Sequence, residues 1–373
     1  MRNLKLLDKK IVTSISGISD ALFLAFDNDV GVAYIATQLE IIAFNPNTGQ
    51  NIAAIIVREN ASADVSVPVG LQYVCEQQAV CLAVSDGRLC LWQTSDPDKL
   101  ECVGEVDGGL AAMSWSPDLE VVVIATGHGK LLLMTREYDV ITEVLMYPNS
   151  EGEDSNIAVG WGKKETQFHG SAGKQAAKLE HVSVHPAEER DTGKPQIAWR
   201  GDGQYFVVSA IDPETRARFL YIWSRECVFQ SRSEPIDGLQ HSLSWKPSGS
   251  LIASVQTKRH TNTQDVVFFE KNGLRHGEFS IPPKAESNYF VVSVLWNHDS
   301  SVLALWMEDY VSGIETPVSH LQLWTVNNYH WYLKQNLTFD CGIASLIWDA
   351  EHTYKMHIVT KDDTYLSYTW TWT

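Results

Sequence analysis

Two histidines and one glycine-rich turn are the residues of this chain whose types and spacing could support chemistry. His181 and His185 lie four positions apart in HVSVHP, a spacing that suits a metal ion when it occurs on a helix. The alternation of polar and apolar residues instead indicates a strand, on which the two rings would be about 13 Å apart. The segment 127–130 (GHGK) joins two strand-like runs and opens no helix, so no helix N-terminus is available to a phosphate group. We predict no metal site, no phosphate site and no bound cofactor.

No arrangement of catalytic side chains is recognisable elsewhere in the chain. The sequence has no G-x-S-x-G, HExxH, phosphate-loop or dinucleotide-binding motif. Glu308 and Asp309 fall in a segment that we interpret as an acidic surface loop, in which both carboxylates would be solvated. The sequence therefore predicts a protein that is not an enzyme.

The six cysteines indicate the compartment in which the protein works. Cys75, Cys81 and Cys90 lie in apolar runs that we interpret as inner strands, and the chain has no C-x-x-C pair. Such thiols behave as small apolar side chains and stay reduced in a reducing compartment. The N-terminus lacks the continuous apolar stretch of a secretion signal, and the longest apolar runs are too short to span a bilayer. We expect a cytoplasmic location, with the nucleus as a second one and no membrane association.

Charge argues against nucleic acid as the main partner. The formal net charge is -17, whereas phosphate-rich ligands are usually met by a basic face. One cluster departs from the acidic background, formed by Lys163, Lys164, Lys174 and Lys178. We interpret this cluster as a candidate basic patch for an acidic partner or an RNA backbone, with a solvated face as the alternative.

Aromatic residues recur at a regular interval and indicate the architecture. They end short apolar runs that lead into tight turns, with a mean spacing of about 46 residues, within the range of propeller repeats. Each repeat contains runs of β-branched and aromatic residues separated by Gly, Pro, Asp and Ser clusters, as expected for strands linked by hairpins. The anchor residues are Phe23, Tyr73, Trp115, Trp161, Trp199, Trp245, Trp296 and Trp348.

This period predicts an all-β, WD40-like β-propeller of seven or eight four-stranded blades. The repeat after Trp161 is the poorest, and we interpret it as a blade with polar outer strands. The N-terminal segment NLKLL is predicted to close the last blade beside YLSYTW, because an unpaired edge would expose backbone donors and acceptors. We expect residues 1–373 to form a single propeller. The alternative is a seven-bladed ring followed, at 340–373, by the first blade of another propeller.

The segment 328–334 (NYHWYLK) places large aromatic residues on a predicted outer strand, which is normally the most exposed strand of a blade. Tyr and Trp are frequent among the residues that dominate binding energy. Successive side chains of a strand point to opposite faces, so we expect the odd-numbered residues of 329–333 to pack against the neighbouring blade. His330, Tyr332 and Lys334 would then face outward, and they are the candidate partner-binding residues. The alternative is that the aromatic residues only pack between blades.

Several segments resemble the N-terminal propeller of the largest subunit of the Elongator complex, and the resemblance extends over essentially the whole chain. They differ from generic WD repeats, because Gln93, Ser224 and Thr325 follow the strand-end tryptophans where Asp would be expected. The matching segments are MRNLKLL at the start, 100–118, GWGKKETQFHGSAGKQAA (160–177), 198–209, 234–254, 266–277 and LQLWTVNNYHWYLKQNL (321–337).

The resemblance implies a scaffold in an assembly that modifies the wobble uridine of tRNA. In that family the chemistry belongs to a separate subunit that is similar to radical-SAM enzymes and acetyltransferases. The resemblance implies contacts with that catalytic subunit and with a second propeller subunit, and contact with tRNA only indirectly. Dimerisation and direct tRNA binding belong to later regions of the family's proteins, so neither is expected of these residues.

Two other classes of function fit a propeller. A generic adaptor could recognise a peptide through the central channel, which would call for an aromatic cage at the channel mouth. An enzyme with a metal or acids in the channel would need carboxylates or histidines at corresponding inner-strand positions. Those positions are Met113, Ala158, Ile197 and Leu243.

Overall fold

The structure is a computed structural model that describes residues 2–58, 66–148, 152, 184–261, 263–282, 289–310 and 317–373. The chain forms two compact units, Met1–Met146 with Lys284–Thr373, and Tyr147–Pro283. Several predicted features lie outside the described residues: the anchor Trp161, Ala158, His181 and the basic patch of Lys163, Lys164, Lys174 and Lys178.

The first unit contains five antiparallel four-stranded sheets, in each of which neighbouring strands pair in order. The first three are β2 (Phe23–Asp27), β3 (Val32–Ala36), β4 (Glu40–Asn45) and β5 (Gln50–Ile56); β6 (Pro68–Val74), β7 (Ala79–Val84), β8 (Arg88–Gln93) and β9 (Leu100–Glu105); and β10 (Leu110–Trp115), β11 (Val121–Thr126), β12 (Lys130–Thr135) and β13 (Val140–Leu145). The other two are β22 (Tyr289–Trp296), β23 (Leu303–Asp309), β24 (Val318–Asn327) and β25 (His330–Phe339); and β26 (Ile343–Trp348), β27 (Lys355–Thr360), β28 (Thr364–Trp372) and β1 (Leu4–Val12).

The second unit contains two sheets of the same kind. They are β14 (Gln196–Trp199), β15 (Tyr205–Ile211), β16 (Arg218–Ser224) and β17 (Phe229–Arg232); and β18 (Leu239–Trp245), β19 (Ile252–Lys258), β20 (Thr263–Phe269) and β21 (Arg275–Ser280). The prediction of an all-β propeller of four-stranded blades is confirmed, with seven such sheets among the described residues.

The N-terminal strand completes the last sheet, as the sequence predicts. β1 pairs antiparallel with β28 from Leu4 opposite Trp372 to Val12 opposite Tyr365, with a bulge between Leu6 and Asp8. The segment 340–373, which the sequence left open as the start of another propeller, supplies the other three strands of this sheet. Pairing with β1 covers the backbone edge that β28 would otherwise present to solvent.

Apolar burial between sheets stabilises the first unit. All six residues of β7 are buried, because both faces of an inner strand pack against neighbours. The ring of anchor Tyr73 stacks on Tyr34 with centroids 5.5 Å apart, and Trp92 meets Tyr34 edge-on at 6.0 Å. Aromatic residues at anchor positions thus join the core between adjacent sheets rather than the surface.

Two predictions about polar side chains are wrong. Cys75 lies exposed in a short 3-10 turn after β6, whereas Cys81 and Cys90 are buried as predicted. Glu308 and Asp309 belong to the buried end of β23 instead of a solvated loop. The Glu308 carboxylate accepts hydrogen bonds from Lys361 Nζ at 3.2 Å and the Tyr310 hydroxyl at 2.7 Å, which balance its burial.

In the second unit, a polar loop is tied to the sheet by a buried ion pair. The guanidinium of Arg218 donates two hydrogen bonds to Asp191, one of them 2.7 Å long from Nε. It also donates to the Ser209 carbonyl oxygen at 3.1 Å. Burial favours the neutral acid and raises the pKa of Asp191, but the bonds from Arg218 outweigh that effect and lower this pKa overall.

No helix of the described residues is long and apolar enough to cross a membrane.

Candidate interaction surface

The β24–β25 hairpin holds the candidate partner-binding residues, and Tyr329 lies in its turn rather than on the predicted outer strand. Asn328 and Tyr329 form the two-residue turn with φ of 48° and 65°, which suits the twist of a hairpin. Tyr329 is therefore 98% exposed, and the prediction that it packs against a neighbouring blade is wrong. Trp331 is half-buried, with its ring 5.9 Å from that of Trp296 on the first strand of the same sheet.

A bulge changes which side chains of β25 share a face. Leu333 lies opposite Trp324, but the next pair joins Gln335 to Leu323, so Lys334 is an extra residue in the ladder. The strict alternation assumed from the sequence therefore fails at this point. Leu333 is 42% exposed, whereas Lys334 and Tyr332 are half-buried.

Tyr332 and Lys334 line an open groove of about 460 Å³ beside the N-terminal strand. The Lys334 ammonium donates to the Arg2 carbonyl oxygen at 3.0 Å and lies 5.7 Å from the centre of the Tyr332 ring. The groove is also lined by Arg2, Ser300, Ser301, Thr325, Val326, Asn327, Tyr354 and Trp372. Its walls thus combine Tyr and Trp rings with Arg2, residue types that are frequent among binding hot spots, and add the Lys334 ammonium.

The carboxylate of Asp299, next to this groove, is hydrogen-bonded to neighbouring groups of the protein. Asp299 accepts hydrogen bonds from the Ser301 hydroxyl and amide and from the Tyr354 hydroxyl. Burial raises the pKa of Asp299, but these hydrogen bonds outweigh it and lower the pKa overall. Among the described residues, neither the Arg2 guanidinium nor the Lys334 ammonium forms an ion pair. The positive charges of the groove are therefore available to a ligand.

His330 lies outside the groove. It is exposed at the first position of β25, and it pairs across the hairpin with Asn327, which does line the groove. The structure thus brings two of the three candidate residues together and leaves His330 at the rim.

A second concentration of polar and aromatic residues is buried between β26, β27 and β28. His357 Nε2 lies 2.9 Å from the Asp349 carboxylate, and its Nδ1 contacts the Tyr365 hydroxyl. The Phe26 ring stacks on the imidazole with centroids 4.1 Å apart. The neutral imidazole with its hydrogen on Nε2 satisfies both contacts, since it donates to Asp349 and accepts from Tyr365.

Electrostatics fix the protonation states of this buried cluster of Asp349, His357 and Tyr365. Burial alone would raise the pKa of Asp349, but hydrogen bonds from His357 and the backbone amides of His352 and Glu351 hold it below its usual range. Burial lowers the pKa of His357, and the bond to Asp349 counters only part of that effect. Burial also raises the pKa of Tyr365. At neutral pH the cluster is therefore a carboxylate, a neutral imidazole and a neutral phenol.

The buried cluster resembles a proton relay but has no access for a substrate. His357 is fully buried, and Asp349 and Tyr365 are each only 1% exposed. Its hydrogen bonds connect the end of β26 to β27 and β28, which is a stabilising role. Within the described part of the chain, no group of three or more His, Cys, Asp or Glu side chains could hold a metal ion. His185, the described member of the histidine pair, has Nδ1 3.2 Å from Asp237 Oδ1.

Sequence reasoning missed the buried cluster and most of the groove. A signal for the cluster exists: His357 interrupts the apolar run of β27, eight residues after Asp349 and eight before Tyr365. Such a spacing fits hairpin-linked strands. Arg2 gives no local signal, because it joins Tyr354 and Trp372 only when β1 pairs with β28.

The seven four-stranded sheets place the chain among the β-propeller proteins. Residues 1–351 match the family described as "ELP1 first N-terminal beta-propeller". The chain therefore belongs to this family, the first propeller of Elongator subunit 1.

Curated relatives agree with this assignment. The chain is 43% identical over 381 residues to elongator complex protein 1 of Oryctolagus cuniculus, covering 100% of this chain and 28% of that protein. It is 48% identical over 311 residues to the Rattus norvegicus protein, covering 82% and 23%. It is 36% identical over 311 residues to the Schizosaccharomyces pombe protein, covering 81% and 24%. The chain thus spans about a quarter of the length of these relatives.

Proposed function

We propose that this chain is a non-catalytic interaction domain of the Elongator scaffold subunit. It supports modification of the wobble uridine of tRNA by a separate catalytic subunit of the radical-SAM and acetyltransferase-like type. The observation that supports this proposal most directly is the family match over residues 1–351. In a β-propeller whose buried polar residues hydrogen-bond to one another and stabilise the sheets, the outer surfaces can bind partners.

The surface that we assign to assembly is the groove beside β1, with Tyr332 and Lys334 in its wall and His330 at its rim. Its supporting features are the aromatic side chains, the uncompensated positive charges and the open space between β25 and the N-terminal strand. The proposed occupants are the catalytic subunit and the second propeller subunit. A direct contact with tRNA would run through the basic patch of Lys163, Lys164, Lys174 and Lys178, because the protein is otherwise net acidic.

We also propose a cytoplasmic location, with the nucleus as a second one. Support comes from the six cysteines, all of which are free thiols. Burial raises the pKa of Cys81 to about 12 and that of Cys90 to about 11, which keeps both as unreactive thiols. Such cysteines are typical of proteins in reducing compartments.

Assembly with the catalytic subunit tests the proposed function. The variant Tyr332→Ala with Lys334→Glu should weaken capture of the catalytic subunit by more than about 2 kcal/mol, the threshold for a hot spot. A matched control is Ile141→Ala with Lys99→Glu, which removes one exposed apolar side chain and reverses one exposed charge elsewhere in the first unit. Thermal unfolding of both variants should stay close to that of the unmodified chain.

Two outcomes would count against the proposal in different ways. Equal capture by the variant and its control would remove the groove as the assembly surface. Failure of the unmodified chain to associate with any Elongator subunit would remove the scaffold role and favour a generic adaptor that recognises a peptide through the channel.

A further inference from the structure

We propose that the groove beside the start of β1, together with the face of β1 that lies on the same side as Trp372, binds an extended segment of a partner protein in which acidic and apolar residues alternate. The inference rests on the proposed interaction role and adds the chemistry of the partner. Three features of the first unit support it: the charge of β1, the side chains on one face of β1, and the position of β1 at the edge of its sheet.

Positive charge is concentrated on β1. Its sequence LKLLDKKIV has three lysines and one aspartate, and Arg2 precedes it. The fourth strands of the other described sheets have at most one lysine or arginine each. The neighbouring strand β25 contributes Lys334 and no acidic residue. Of the three lysines, Lys9 lies on the face that Trp372 shares, whereas Lys5 and Lys10 lie on the other face. Together with Arg2 and Lys334, Lys9 makes this surface basic on a chain of net charge -17, which indicates an acidic ligand.

The register of β1 shows which of its side chains lie on the same face of the sheet as Trp372, which lines the groove. Residues directly opposite each other in an antiparallel pair share a face, and Lys9 accordingly lies 5.2 Å from the centre of the Tyr368 ring. On this face Leu6, Lys9 and Ile11 lie opposite Trp370, Tyr368 and Leu366.

This face has apolar side chains that the fold does not use. Leu6 is 43% exposed and Ile11 is 52% exposed, although Leu4 on the same face is buried in the core. Lys9 lies between the two exposed apolar residues. The face therefore alternates cationic and apolar character, which matches a partner segment that alternates acidic and apolar side chains.

The backbone of β1 favours a protein segment over a nucleic acid. β1 is the edge strand of its sheet. The Leu4 carbonyl oxygen points away from β28, since it accepts a hydrogen bond of 2.7 Å from Gln335 Nε2 on β25. Backbone groups two residues along a strand point to the same side, so those of Leu6 also face away from β28 and can pair with an added strand. A nucleic acid would use the positive charges but neither the strand edge nor the apolar side chains.

A peptide-binding experiment tests the inference. The probe is a fluorescein-labelled nine-residue peptide whose central residues alternate glutamate and leucine, and the comparison peptide has glutamine in place of glutamate. Fluorescence anisotropy with the full chain should show binding of the acidic peptide at low salt, at least about 10-fold weaker binding of the glutamine peptide, and loss of affinity as salt rises.

The chain offers a matched pair of variants with the same change of charge. Lys9→Glu with Lys334→Glu alters the groove and its continuation on β1. Lys5→Glu with Lys10→Glu alters the opposite face of β1, because these residues lie opposite Thr371 and Ser367. The first variant should bind the acidic peptide at least about 10-fold more weakly, and the second should lose less than about 2-fold. The melting temperature of each variant verifies that β1 remains paired.

The outcomes separate this inference from the proposed function. Equal losses in the two variants, or equal affinity for the acidic and glutamine peptides, would overturn the inference. Tighter binding of a nine-nucleotide oligouridylate that is lost only in the first variant would reassign the surface to nucleic acid. Loss of assembly in the Tyr332 and Lys334 variant without peptide binding would leave the proposed function standing and remove only the partner chemistry. Peptide binding with unchanged assembly would support the partner chemistry and assign it to a protein outside the Elongator assembly.

Discussion

The groove beside β1 and the buried cluster of Asp349, His357 and Tyr365 contain similar kinds of side chain in different surroundings. In the buried cluster each polar group meets another polar group of the protein, and the Phe26 ring covers the imidazole. In the groove the Lys334 ammonium uses one of its three donors on the Arg2 carbonyl oxygen and keeps the others for solvent or a ligand. Polar and aromatic residue types alone therefore do not identify a functional site. The two regions differ in whether their polar groups find all of their hydrogen-bond partners within the protein.

The largest expected effect comes from deletion of residues 1–10, which removes a wall of the groove and uncovers the strand that contains Tyr365. We expect the variant to lose at least about 4 kcal/mol of unfolding free energy and to aggregate, because β28 becomes an unpaired edge and the core loses Leu4. Calorimetry and light scattering measure the two effects. Leu4→Ala is the control, and it should cost about 2–4 kcal/mol without aggregation. A monodisperse deletion variant with an unchanged melting profile would place closure elsewhere.

Removal of the carboxylate from the buried cluster should lower the free energy of unfolding by nearly as much. Asp349→Ala leaves the His357 imidazole and the amides of Glu351 and His352 without their acceptor inside the protein. We expect a loss of about 3–5 kcal/mol in chemical unfolding, as for removal of one partner of a buried pair. Asp349→Asn keeps one acceptor oxygen and should lose less. If Asp349→Ala matched the effect of an exposed substitution, the buried cluster would have no stabilising role.

The buried cluster should also make stability depend on pH. Burial lowers the pKa of His357 in the folded protein, whereas the unfolded side chain titrates near about 6.5. Below that pH the unfolded chain takes up a proton that the folded chain resists. The free energy of unfolding should therefore fall by up to about 1.4 kcal/mol per pH unit between about pH 6.5 and the lowered pKa. Asp349 adds nothing in this window, since its stabilisation is lost only below about pH 3.9.

Urea unfolding between about pH 7.5 and 5.5 measures this dependence, with His357→Phe as the comparison. The variant lacks the titrating group, so its stability should vary less with pH than that of the unmodified chain. Parallel pH profiles for the two proteins would mean that His357 is protonated equally in the folded and unfolded states.

The smallest effects are expected at the groove end of the hairpin. Trp331→Ala should cost about 2 kcal/mol, less than the value of about 3–5 for a fully buried aromatic residue, because Trp331 is half-buried against Trp296. Tyr329→Ala should change stability by no more than about 0.5 kcal/mol, since its side chain is 98% exposed. Thermal unfolding of both variants tests the order. A larger loss for Tyr329→Ala would contradict the description of the turn.

Much of the fold could be predicted from local patterns. The anchors Tyr73, Trp115, Trp245 and Trp296 are all buried on strands. Asn272 and Gly273, a residue pair typical of hairpin turns, separate β20 from β21. Gly273 has φ of +83°, and a Cβ there would lie 2.5 Å from the Arg232 carbonyl oxygen, so the turn requires glycine. These features can be predicted from the sequence because each depends on a few residues that are adjacent in the chain.

The candidate site is harder to predict from the sequence, because it depends on residues that are distant in the chain. The aromatic residues of segment 328–334 predict an interaction surface, and Tyr332 and Lys334 do line a groove. The face prediction fails at Tyr329, which lies in the hairpin turn, and at Leu333, which is 42% exposed, because the position of the turn and the burial of a side chain depend on pairing with β24 and on neighbouring elements. Local sequence likewise does not reveal that Glu308 and Asp309 are buried, since the burial of Glu308 depends on Lys361, a partner distant in the chain.

The sequence by itself determined the repeat, the strand class, the turns and the need for an N-terminal strand to pair with the last sheet. These features follow from short-range propensities and from the period of the aromatic anchors. Neither depends on the exact register in which neighbouring strands pair. Only the tertiary structure decided that Arg2 and Trp372 would share a groove with Tyr332, and that His357 would be fully buried beside Asp349. The physical reason is that burial and charge compensation are properties of a residue's surroundings, and for these residues the surroundings come from both ends of the chain.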